Sequence, residues 1–506
     1  MRLILAGLVG PISVSARIRR VRRPALQNIR AVINRPRRIR NSSVMKGNFK
    51  DAASPSLVVP AAVLLTGAVA VGYLLTVVNP LHSVLVAVFV VLFAVAFIWP
   101  EFGIYVVIFS MLLSPEFMAG GLAGKATLGR GFTLRLEDFL LVFIGLSWFA
   151  RGALDKSKGL FRQTPLNKPI AVYIVVCVLA TLWGLITGTV QGNAGFFFVL
   201  KYFEYIIVFF LVVNYVESED QVRRLLFCLF LTCFIVSIYG IIQIPSGVRV
   251  SAPFEGEEGE PNTFGGYLVL MGALAVTLLD HLREMRLRLS LFLLLGVLLV
   301  CLVYTQSRAS YLAVIPAYLV LSIFSKRRSH LLVGLLIFLI LSPLVLPRVA
   351  TDRIAYTFKQ EKDPTQVSVA GLRLDSSTSA RIISWKDGLS AWRNRPILGH
   401  GVTGYGFIDA QYPRILVETG ILGALAFAWL VYAMFRLAFH IWKNNEDDLL
   451  RSLSVGVMAG LMGLLVHAVG ANSFIIVRIM EPFWCIVGAL LALDAIKDAR
   501  SSPASA

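Results

Sequence analysis

Long apolar runs recur along this chain, separated by short polar breaks. They fall at about 57–79, 81–99, 102–118, 136–150, 169–189, 195–215, 223–245, 262–280, 288–304, 309–324, 331–347, 413–439, 451–470 and 473–495. A helix needs about 20 mostly apolar residues to cross a bilayer, about 30 Å at 1.5 Å per residue. The pattern predicts an all-α polytopic membrane protein of about fourteen transmembrane helices. Two runs are weaker. The run 102–118 contains Pro115 and 136–150 is short, so both are candidates for re-entrant segments. One break is long: 348–412 is polar and contains a second, shorter pattern. There Ser376, Ser377, Thr378 and Ser379 precede Ile382, Trp385, Leu389 and Trp392, which marks the N-terminus of an amphipathic helix ending before Pro396.

Composition agrees with the pattern. The chain is 57% hydrophobic and 15% charged, whereas soluble domains carry about 25% charged residues. The net charge of +19 would suit nucleic acid, but most basic residues lie in short loops beside apolar runs. There they set orientation in the bilayer. Ten arginines and no acid lie between Arg17 and Arg40. Residues 1–50 therefore read as a basic cytoplasmic arm, either free in solution or drawn to anionic lipid. With that arm inside, the bundle runs over 51–347 and 413–496, the tail 497–506 is cytoplasmic, and 348–412 is an outer, periplasmic loop. The five cysteines all sit in apolar runs and form no ligand spacing, so no metal or cofactor is expected.

The candidate chemistry lies at the outer side. Arg308 ends Thr305-Gln306-Ser307-Arg308 at a tight turn between two runs. It reads either as an interfacial snorkeller or as a guanidinium fork for phosphate. Arg381 opens the amphipathic helix. Asp409 precedes Gln411-Tyr412-Pro413 and the next run. It reads as an N-cap or as a general base. Gly399-His400-Gly401-Val402-Thr403-Gly404 matches a dinucleotide fingerprint in letters only, because it lacks the strand–helix context. Lys201 and Glu204, three apart in an apolar run, read as an intramembrane pair or a ligand contact, and Arg478 with Glu481 repeats the spacing. The acidic loop Glu255, Glu257, Glu258 and Glu260 reads as solvated.

Together these pieces resemble the O-antigen ligase and polysaccharide polymerase superfamily. The resemblance covers about Pro261 to Gly423, from Glu260-Pro261-Asn262-Thr263-Phe264-Gly265-Gly266 to Glu418-Thr419-Gly420-Ile421-Leu422-Gly423. It implies a GT-C-like, inverting, metal-independent glycosyltransferase at the outer face of the bacterial inner membrane. Its donor would be a glycan on undecaprenyl diphosphate, gripped by Arg308 and Arg381. Its acceptor would be a second glycan, and a chain-length regulator would be a partner. Ligases of lipid A–core carry His-Asn where this chain has Asp409-Ala410, which favours polymerase over ligase. Candidate substrate contacts are Lys201, Glu204, Arg249, Asn262, His400, Tyr405, Gln411, Tyr412 and Arg478. A flippase of lipid-linked oligosaccharide is the alternative of another class.

Overall fold

A computed structural model describes residues 80–119, 132–154, 161–255, 259–282, 284–324, isolated positions between 328 and 340, 347–360, 366–369 and 372–501. The basic arm and the apolar run 57–79 lie outside the described residues, as does most of the run 331–347. Residues 92–506 pack as one compact unit. Of the unit 11–91, only the start of the first helix is described.

The architecture is all-α with two small hairpins. Helices α1 (Pro80–Ile98) and α2 (Pro100–Leu113) lead to strands β1 (Glu116–Ala119) and β2 (Phe132–Arg135), which pair antiparallel. Helices α3 (Leu136–Leu154), α4 (Asn167–Ile186), α5 (Gly192–Tyr215) and α6 (Glu219–Gln243) follow. After a 3₁₀ turn come α7 (Pro261–His281), α8 (Met285–Tyr304) and α9 (Arg308–Phe324). The polar segment then forms α10 (Arg348–Lys359), a two-residue hairpin of β3 (Ser368–Val369) with β4 (Leu372–Arg373), and α11 (Ser376–Asn394). Three helices close the chain: α12 (Gln411–Asn444), α13 (Asp448–His467) and α14 (Val477–Ser501).

Eight of the described helices are long and apolar enough to cross a bilayer, and three more apolar helices are shorter, at Ala87–Ile98, Pro100–Leu113 and Arg308–Phe324. This is a multi-pass membrane protein. The expected run 102–118 stops early, because Ser114 leaves the helix and Pro115 lacks the N–H to continue it. The fourteen residues of α2 span only about 21 Å.

Burial sorts the helices. The apolar stretches of α14, α7 and α13 are 89%, 78% and 72% buried, whereas that of α8 is only 33% buried. On α8, Leu289, Phe292, Leu293 and Leu299 face outward, where lipid replaces protein as the apolar solvent. Helix α13 packs against α7 and α9 through small residues. A Cβ on Gly460 would lie 2.6 Å from Leu270, and one on Gly463 would lie 2.9 Å from Val269.

The long polar segment is fastened to the bundle at a kink. Helix α12 breaks at Gly420, which has φ 64° and ψ −165°. The freed backbone groups pair with residues 396–401, which lie alongside. His400 N donates to Val417 O and Gly401 N to Glu418 O, each at 2.8 Å, while Ile421 N donates to Pro396 O. Thr403 N and Arg414 Nε both donate to Glu418 Oε1. The Gly399–Gly404 segment is thus a seam that satisfies a broken helix inside the bundle. A Cβ on Gly420 would meet Ile397 O at 2.1 Å, and φ there is positive. Gly420→Ala should therefore lower stability by about 1–3 kcal/mol or more. A fall in melting temperature of the detergent-purified variant, relative to wild type, is the measurement.

Candidate active site

The turn between α8 and α9 is built from its own hydroxyls. Thr305 Oγ1 donates to Leu302 O, Ser307 N donates to Thr305 Oγ1, and Ser310 N donates to Ser307 Oγ. Gln306 takes φ 51°, so the chain reverses in two residues and presents Arg308 at the head of α9. Behind the turn Ser310 Oγ donates to Ser307 Oγ at 2.8 Å. The buried His467 ring lies against Ser310 Oγ and Ser473 Oγ, at 3.2 and 2.7 Å. Helix α7 fits against this chain because Gly265 and Gly266 have no side chains there. Their Cβ atoms would lie 2.2 Å from Ser310 Oγ and 3.0 Å from His467 Cε1.

Four arginines converge on the turn. Arg308 is held by Asp375 through two parallel bonds, Nη1 to Oδ1 and Nη2 to Oδ2, each 2.8 Å. The snorkelling alternative fails, since only 20% of the Arg308 side chain is exposed. Arg381 donates from Nε (3.2 Å) and Nη2 (2.8 Å) to Asp409 Oδ2. Arg249 donates to Thr305 O and also reaches Gln306 O and Asn262 Oδ1. Arg353 on α10 donates to Gln306 O as well. Burial, then Arg353, with Arg308 and Arg381 adding, pushes Arg249 down to about 10. Arg353 is lowered by burial and by Arg308. Burial opposes the charge on Asp375, but the bonds from Arg308 and Thr378 outweigh it and hold its carboxyl below the ordinary range.

Four guanidinium groups therefore face two carboxylates. Asp409 Oδ1 has no hydrogen-bond partner among the described residues, and a third of the side chain is exposed. The capping alternative for Asp409 fails as well: α12 begins at Gln411, and Ala410 occupies the cap position. Sequence reasoning missed Asp375, Arg353 and His467. The acid–base spacing that would reveal them is absent, because their partners lie far away along the chain.

The other expected contacts divide. Arg249 and Asn262 join the arginine turn. His400 turns to Ala391 O and packs by Tyr405. Gln411 accepts from Phe474 N, and Tyr412 donates to Leu465 O, so both tie α12 to the end of α13 and the turn after it. Lys201, Glu204 and Arg478 belong instead to a buried charge cluster. Lys201 pairs with Asp138 at 2.6 Å and Glu204 at 3.2 Å. Arg478 pairs with Glu255 and donates to Pro253 O and Phe254 O, while neither Glu481 oxygen has a hydrogen-bond partner among the described residues. The expected Arg478–Glu481 pair is replaced by one across the bundle. Nor is the acidic loop wholly solvated: Glu255 is buried and accepts from Ala252 N and Glu260 N.

Residues 293–428 match the family model described as O-antigen ligase. The match covers about a quarter of the chain and supports the O-antigen ligase and polysaccharide polymerase superfamily. The match runs from α8 to just past the Gly420 kink, so it holds Arg308, Arg353, Asp375, Arg381 and Asp409. Arg249, Asn262 and His467 lie outside it and complete the same site. The match supports an enzyme of glycosyltransferase type. No curated protein matches the chain.

Burial pushes the Glu255 carboxyl up to about 8, although Arg478 opposes the shift. Between about 4.5 and about 8 the folded chain keeps a proton that the unfolded chain releases. Stability should therefore fall as pH rises through that window. Thermal unfolding at stepped pH should show a flatter profile for Glu255→Gln than for wild type.

Proposed function

We propose that this protein is a polysaccharide polymerase acting at the outer face of the bacterial inner membrane. The observation that supports it is the charge imbalance at the Gln306 turn: Arg249, Arg308, Arg353 and Arg381 against Asp375 and Asp409. Such an excess of guanidinium in a half-buried site suits a diphosphate, whose oxygens accept from planar forks. The donor is a glycan on undecaprenyl diphosphate. The acceptor is the terminal sugar hydroxyl of a second lipid-linked glycan. The acceptor oxygen forms a bond to the anomeric carbon as that carbon's bond to the diphosphate oxygen breaks, with inversion. The acceptor proton passes to Asp409 Oδ1. The arginines carry the charge that develops on the departing undecaprenyl diphosphate.

Arg381 binds Asp409 through one oxygen only, which orients the carboxylate and leaves the other free for the proton. Asp375 fixes Arg308 so that its charge stands beside the turn before donor arrives. A carboxylate at position 409, where lipid A–core ligases have histidine, favours polymerase over ligase. A flippase would have no use for such a base beside the arginines.

Two measurements test the reading. Arg353→Ala should weaken undecaprenyl diphosphate binding and product formation together. Asp409→Asn caps nothing and loses only the half-exposed pair with Arg381, so it should fold with a slightly lowered melting temperature, bind undecaprenyl diphosphate, and polymerise about 10²–10⁴-fold more slowly. Glycan ladders of wild-type length from the Asn variant would remove Asp409 as the base. Orientation is checked by membrane-impermeant labelling of single cysteines in intact spheroplasts. Lys386→Cys on α11 should label, and Lys443→Cys at the end of α12 should not.

A further inference from the structure

An open cavity of about 640 Å³ lies along α11, within the about 300–1,000 Å³ usual for small-ligand sites. One wall is a single face of that helix, bearing Ser376, Ile383, Ser384 and Asp387; the other is the segment from Tyr405 to Phe407. The lining is amphipathic in a particular way. Ile383 and Phe407 are 41% and 37% exposed. The side chains of Ser384 and Asp387 and the Tyr405 hydroxyl have no hydrogen-bond partner among the described residues. Aromatic faces beside unpaired acceptors and hydroxyls suit a pyranose, which offers C–H groups on its faces and hydroxyls around its rim.

Residues lining the cavity also neighbour the proposed reacting groups along the chain. Ala380, which lines it, precedes Arg381 on α11, and Phe407 lies two residues before Asp409. None of the four arginines assigned to the diphosphate lines the cavity, and Arg249 and Arg353 are bound to the Gln306 turn. Resting on the transferase reading, we infer that this groove is the acceptor subsite. It holds the terminal sugars of the acceptor oligosaccharide and delivers a hydroxyl to Asp409. Asp387 receives hydrogen bonds from sugar hydroxyls, and Tyr405 and Phe407 take the apolar sugar faces.

The test uses the full chain in lipid nanodiscs with two probes. One is undecaprenyl diphosphate; the other is the oligosaccharide released by mild acid from the lipid-linked glycan of the producing cells. Asp387→Asn and Phe407→Ala change exposed side chains that hold no partner. Each should weaken oligosaccharide binding, read by saturation-transfer NMR, by about tenfold or more. Undecaprenyl diphosphate binding should be unchanged, which also shows that the variants are folded. In polymerisation assays the defect should appear in the KM for acceptor and vanish at high acceptor. Variants that hold the oligosaccharide as wild type does overturn the groove and leave the transferase reading standing. A wild-type chain that binds no undecaprenyl diphosphate and builds no ladder overturns both.

Discussion

Mutual repulsion among four arginines near one turn is the constraint around which this end of the bundle is organised. Like charges brought together and partly desolvated are unfavourable unless something opposes them. Two carboxylates do so here, each from a different part of the polar segment. Asp375 stands at the head of α11 and grips Arg308, while Asp409 stands just before α12 and grips Arg381. Backbone carbonyls of Thr305 and Gln306 take Arg249 and Arg353. The segment between α9 and α12 is therefore bound to the bundle by charge on one side and by the Gly420 seam on the other.

That seam explains why the segment can be long and still hold the Asp409 carboxylate in place. A loop hung only from its ends would place Asp409 loosely. Here residues 396–401 complete the hydrogen bonding of a kinked helix inside the bundle, and Arg395 reaches Thr187 Oγ1 on the α4 side. Asn472 Nδ2 holds the Ile408 carbonyl at 2.8 Å from the turn after α13. Asp409 is one residue beyond that anchor. Rigid backbone on both sides is what a proton-accepting group needs if it is to meet a hydroxyl in reacting geometry.

Hydropathy revealed most of the bundle, because a membrane-facing helix must be apolar along its length. It marked the run holding α2 as weak because of Pro115, beside which the helix ends, and it said nothing of the Gly420 kink, since glycine inside an apolar helix is ordinary in membranes. Arg308 was legible as a charge between apolar runs, and Arg381 and Asp409 were legible through the short motifs that hold them. Asp375 and Arg353 were not, because in a segment rich in polar residues one more acid or base carries no signal. The role of Glu255 was hidden for the opposite reason. Three further glutamates nearby suggested solvated charge, while the fold draws Glu255 inward to meet Arg478. Pairings between distant segments are set by topology, and local spacing does not encode them.

The same topology separates two uses of charge. Lys201, Asp138, Glu204, Glu255 and Arg478 are closed within the bundle and answer mainly one another. Removing one partner there would leave a buried charge uncompensated, so their first consequence is for folding. At the Gln306 turn the balance is left positive and the site is half open. An excess of one sign at an accessible place suits a ligand of the other sign, and in the proposed reaction the groove along α11 would admit that ligand's reaction partner. On the proposed reading one end takes an anion and the other a sugar, with the Asp409 carboxylate between them and only one of its oxygens bound by Arg381.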